Sequence, residues 1–98
     1  MNLQILGDVN SFLNNISNDD AAKILAHLKS LEINQTEGIL IKPLKGKIKE
    51  LIVRQYRIIF FTIGEKGYVV DIFKKQSKKT PLRIIERAEK IYRKLKNP

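Results

Sequence analysis

The chain contains no cysteine, which excludes disulfides and thiolate metal sites and is in keeping with a reducing compartment. It has a single histidine, His27, and no group of His, Asp and Glu with metal-ligand spacing, so no metal centre is expected. Glycine-rich phosphate loops and serine or cysteine triads are missing too. No apolar run approaches membrane-spanning length, and the opening MNLQILGDVNSF lacks the cationic start of a secretion signal. The expectation is a soluble, cytoplasmic protein that uses no cofactor and no membrane. At 98 residues it should form one domain, 1–98, since no repeat, low-complexity segment or linker divides it.

Charge is present in excess and is unevenly spread. The formal net charge is +9. Up to Ile41, two basic residues (Lys23, Lys29) stand against five acidic ones (Asp8, Asp19, Asp20, Glu32, Glu37). From Lys42 onward, seventeen basic residues stand against five acidic ones. A positive field confined to one part of a small domain is the footprint of a polyanion binder.

Apolar periodicity predicts an α+β fold: two helices first, then an antiparallel sheet of three to four strands, then a last helix. Val9, Phe12, Leu13 and Ile16 give the first helix a face, with Asp8 or Asn10 as cap. The second, about Asp19 to Leu31, is capped by Ser17 or Asn18 and carries the stripe Ala21, Ile24, Leu25, Leu28 and Leu31. His27 lies beside that stripe, where no partner for catalysis or metal binding is in view. Asn2 to Leu6 and Ile39 to Lys42 are short candidates for extended pieces. Ile48 to Arg54 reads as the first central strand, with Ile48, Glu50, Ile52 and Arg54 on one face and Lys47, Lys49, Leu51 and Val53 on the other.

The rest of the chain is organised around Tyr56 to Ile63, which is almost wholly apolar and suits a strand buried on both faces. Tyr68 to Phe73 is its hairpin partner across a turn at Glu65-Lys66-Gly67. Hydrophobicity then stops at Lys74, Lys75, Gln76, Ser77, Lys78 and Lys79, forming a basic mouth at the end of the sheet. Thr80 as N-cap and Pro81 at the first helical position start the last helix, with Leu82, Ile85, Ala88, Ile91, Tyr92 and Leu95 facing inward. Glu86 with Lys90, and Glu89 with Arg93, are spaced for helix-surface ion pairs.

Catalysis, if present, must come from Lys, Arg, Tyr and isolated carboxylates. Attack of an RNA 2′-hydroxyl on the adjacent phosphate fits that inventory, because the substrate brings its own nucleophile. The protein then needs a base, cations for the developing phosphorane and an acid for the leaving 5′-oxygen. In a crowded cationic cluster a lysine gives up its proton more readily.

The motif order Lys42-Pro43-Leu44-Lys45-Gly46, Glu50-Leu51, Tyr56-Arg57 and Phe73-Lys74-Lys75-Gln76-Ser77-Lys78-Lys79-Thr80-Pro81 resembles the phage-derived branch of the HigB/RelE toxin superfamily. The resemblance implies a small RelE-like fold with a curved sheet. It also implies a ribosome-dependent messenger-RNA endonuclease, held in check by a small helix-turn-helix antitoxin of the HigA kind. Carried over by position, Glu50, Tyr56, Arg57, Phe73, Lys75, Lys79, Thr80 and Pro81 match. The arginine expected after Glu50-Leu51 is Ile52 here, and the second lysine of a paired motif is Gln76. Arg54, on the same predicted face as Glu50, is the candidate substitute for the missing arginine.

The resulting site has Arg54, Arg57, Lys75 and Lys79 as catalytic groups and Lys47, Lys49, Lys74 and Lys78 as RNA-backbone contacts. Glu50 and Tyr56 orient them, with Glu50 expected to pair with an arginine. Two other readings compete: a non-catalytic nucleic-acid or ribosome-binding module on the same fold, and an interaction subunit whose basic face holds an acidic peptide.

Overall fold

The computed structural model describes all 98 residues. In chain order the elements are β1 (Asn2–Ile5), α1 (Gly7–Asn14), α2 (Asn18–Glu32), β2 (Leu40–Lys45), β3 (Ile48–Val53), β4 (Tyr56–Ile63), β5 (Lys66–Lys74) and α3 (Leu82–Lys96). The α+β class agrees with the sequence reading, but the sheet does not. It has five strands in the order β1-β5-β4-β3-β2 and is mixed, because β1 runs parallel to β5. A four-residue edge strand that pairs with a partner some sixty positions away leaves no local signal of its direction. At the other edge, Pro43 sits within β2, which an edge strand tolerates.

β4 lies at the centre and is buried on both faces. Its neighbours Ile58 and Ile59 are both fully buried yet belong to different clusters, and successive strand side chains point to opposite faces. On one face Tyr56, Ile58 and Phe60 pack with Val9, Leu13, Ile24, Leu28 and Leu31 of α1 and α2. On the other, Ile59 and Phe61 pack with Ile48, Val70, and Ile84 and Ala88 of α3. The molecule is thus a sheet between two helical layers. Burying both faces at once explains why β4 reads as a continuous apolar run.

The β4–β5 ladder slips by one residue: Ile59 pairs with Asp71 and Phe60 with Val69, leaving Val70 as a bulge. Val70 joins the α3-side cluster. Asp71 accepts a hydrogen bond from Arg87 of α3 at 3.3 Å, and the same guanidinium bonds the Val70 carbonyl at 3.2 Å. Two consecutive residues therefore face α3, and the strand leaves the bulge with its alternation inverted.

Several local expectations shift. The β4–β5 turn is Gly64-Glu65, with Gly64 at φ 60°, while Gly67 is a buried strand residue whose missing Cβ makes room for Met1 and Leu3. Ser17 caps α2 through the Asp20 amide at 3.1 Å as expected, but Leu25 is half exposed. In α3, Leu82 and Leu95 are exposed rather than inward. Glu89 pairs with Lys45 at 3.4 Å, not with Arg93. No helix is long and apolar enough to cross a membrane.

Candidate functional site

Between the end of the sheet and the start of α3 lies a cavity of ≈ 340 Å³. Cross-strand register builds its floor. Lys42 of β2 lies opposite Glu50 of β3, Ile52 opposite Arg57 of β4, and Arg57 opposite Phe73 of β5. Lys75, Ser77, Lys78, Lys79 and Thr80 form a strap along its rim. Phe73 and Lys75 reach this side because the bulge at Val70 has inverted the phase of β5.

The cavity is strongly cationic. Lys42, Arg57, Lys75, Lys78 and Lys79 all line it, and none has a carboxylate within ion-pair distance. The Arg57 guanidinium is aimed by two backbone carbonyls, donating through Nη1 to Arg54 O at 3.0 Å and Tyr56 O at 2.9 Å. Its remaining N–H groups are left for a ligand.

Glu50 is the only carboxylate that lines the cavity, and it is 4% exposed. The expected arginine partner is absent. Instead Thr80 Oγ1 donates to Glu50 Oε1 at 2.5 Å. Thr80 does not take the capping role predicted for it: α3 begins at Leu82, so the cap position falls one residue later, on Pro81, and no side chain caps the helix.

Arg54 is not in the cavity. It occupies the two-residue β3–β4 turn at φ 54°, and its Nη1 donates to Asp19 Oδ2 and Asp20 Oδ1, each at 2.7 Å. The face predicted by strict alternation fails because the strand ends at Val53 and the turn swings the side chain to α2. Tyr56 points the same way, donating to Asp20 Oδ2 at 2.8 Å and stacking edge-on against Phe12 at 5.9 Å. The Arg54 and Tyr56 hydrogen bonds hold the Asp20 carboxyl below its usual range. Asp19 and Asp20 in turn raise Arg54, and Asp20 and then burial raise Tyr56. Together these groups fasten the hairpin to α2.

The other predicted contacts scatter. Lys49 is exposed on the Leu51 and Val53 face, opposite the cavity. Lys47 lies in a separate depression with Lys45, Tyr92 and Arg93, and Lys74 lines another beside Phe12 and Arg83. The structure therefore gathers Glu50, Arg57, Lys75, Lys78 and Lys79 and leaves out Arg54, Tyr56, Lys47, Lys49 and Lys74. Sequence reasoning missed Lys42, which its place opposite Glu50 brings in. His27 is apart from all of this. Its Nδ1 is buried with no partner, and burial, helped by Lys23, lowers its basicity.

A family model described as "Phage derived protein Gp49-like (DUF891)" matches residues 11–93, a span that takes in every residue of the cavity. No curated protein matches the chain.

Proposed function

The chain belongs to the phage-derived Gp49-like family, and on that premise we propose that it is a toxin that cleaves messenger RNA on the ribosome without a metal ion. Its activity would be restrained by a helix-turn-helix antitoxin. The observation that carries this reading is the convergence of Lys42, Arg57, Lys75, Lys78 and Lys79, none of them ion-paired, on one cavity. Unpaired cations around a cavity attract phosphate, and pre-aimed donors stabilise charge that grows on it.

In this mechanism the 2′-hydroxyl attacks the neighbouring phosphorus while whichever of Lys75 and Lys79 has first given up its own proton to solvent takes the hydroxyl's proton as a neutral amine. Arg57 and the remaining strap lysine neutralise the phosphorane oxygens. The P–O5′ bond breaks, and the 5′-oxygen receives a proton from the cationic cluster. The products are a 2′,3′-cyclic phosphate and a 5′-hydroxyl, so atoms and protons balance. Lys42 and Lys78 steer the backbone, and Glu50 orients the strap.

A second reading is a binding module without catalysis. It is favoured by Ile52 in place of the expected arginine, and by Arg54 being occupied with Asp19 and Asp20. One experiment decides between them. The purified protein is added to translating ribosomes in the presence of a chelator that leaves the ribosome intact, and the message is sequenced. New ends carrying 2′,3′-cyclic or 3′ phosphates are expected. Intact message, or 3′-hydroxyl ends, would overturn the nuclease reading.

A further inference from the structure

The strap from Lys75 to Thr80 is tied to the sheet by one hydrogen bond at each end. The Lys75 amide donates to Gln55 O at 2.7 Å, and the Thr80 hydroxyl donates to Glu50 at 2.5 Å. Within it, Ser77 Oγ donates to Lys79 O at 2.9 Å. We propose that Thr80 is a positioning residue of the site: through Glu50 it holds the lysine strap over the cavity and keeps the Glu50 carboxylate from neutralising the strap's own lysines.

Glu50 is buried among cations yet forms an ion pair with none of them. The Thr80 hydroxyl is the one hydrogen bond its carboxylate accepts. A buried carboxylate stripped of its donor must find another charge or hydrogen bond. The cavity that Glu50 lines offers such charges in its lysine side chains. Loss of the Thr80 hydroxyl would therefore act twice, freeing the C-terminal end of the strap and drawing a lysine onto Glu50.

The activity part of the test rests on the RNA-cleaving reading; the backbone part does not. Thr80→Val keeps the shape and removes the hydroxyl, whereas Thr80→Ser keeps the hydroxyl. NMR order parameters of Gln76 to Thr80 should drop in Thr80→Val and return in Thr80→Ser. On RNA, kcat should fall by about tenfold to a hundredfold with KM little changed, again restored by serine. Unchanged order parameters and kinetics in Thr80→Val, or failure of serine to restore them, would overturn the proposal. If Thr80→Val does not fold, Thr80→Val combined with Glu50→Gln, which buries no unpaired charge, carries the same comparison. If the wild-type protein leaves RNA intact, the functional reading fails, while the order parameters still decide the role of Thr80.

Discussion

Ile52 and Arg57 face each other across β3 and β4, so the position where an arginine was expected adjoins the arginine that remains. Both line the cavity, and Ile52 is only half-buried. An arginine at 52 would stand on the Glu50 face and offer a second planar fork to phosphate. Ile52→Arg is expected to raise the cleavage rate, by up to about a hundredfold to a thousandfold if it supplies a full oxyanion-type contact. Ile52→Lys should gain less. Single-turnover kinetics on a ribosome-bound message would check both.

Arg54 belongs to the scaffold, and its variants should behave accordingly. Arg54→Ala is expected to lower the melting temperature without changing the cleavage rate per folded molecule. Arg54→Gly should be the more stable of the two, because glycine reaches φ 54° without the steric cost that alanine meets there. Thermal melts paired with activity titrations would separate the two effects. A rate loss exceeding the loss of folded protein would return Arg54 to the catalytic set.

These two arginines also show how far the sequence could be read. Arg57, Lys75, Lys78 and Lys79 were legible because their positions follow from a central apolar strand and the run that ends it. Arg54 was misplaced because alternation was carried one residue past the end of the strand, and nothing local announces a positive φ at a non-glycine residue. Thr80 was misread for a related reason. The helix starts one residue later than the Thr80-Pro81 pair suggests, and the acceptor that the Thr80 hydroxyl finds, Glu50, is thirty residues away in the chain. The pairing of β1 with β5 is likewise non-local, which is why the mixed sheet was not foreseen.

Acid should weaken the fold in two separate steps. Burial holds His27 below its ordinary value of 6.5, so the unfolded chain binds a proton there first. Stability is complete above that value and declines as pH falls below it. Asp20 is held below its ordinary 3.8 by Arg54 and Tyr56. Its contribution is present above 3.8 and is lost as pH falls through the lower folded value. Melting temperature followed from neutral pH into acid should show both declines. His27→Leu should erase the first alone, and Asp20→Asn the second alone.

The cavity lysines should be distinguishable from the scattered ones by salt. Each phosphate contact on a single strand contributes about 0.7 to the slope of log affinity against log salt. Lys78→Ala and Lys79→Ala should each reduce that slope for a short single-stranded RNA by about one contact, or about 0.7. Lys49→Ala, on the opposite face, should leave it unchanged. Equal effects from all three would mean that the RNA does not choose the cavity.

The bulge at Val70 means that β5 carries one residue more than regular pairing with β4 requires. Ahead of the bulge the even-numbered residues of β5 face α3; beyond it the odd-numbered ones do, and Phe73 and Lys75 inherit that second phase. Many apolar substitutions at position 70 would keep this count. Removing Val70 would spare the phase too, leaving Phe60–Val69 and Ile59–Asp71 as adjacent pairs of a regular ladder, whereas inserting one residue between Asp71 and Lys75 would turn Lys75 toward α1 and α2 with every charge still present. Gaining a single codon in that part of the strand would then disarm the protein as effectively as removing its lysines. Inactive forms arising under selection should accordingly include in-frame insertions after Asp71 as well as substitutions in the strap.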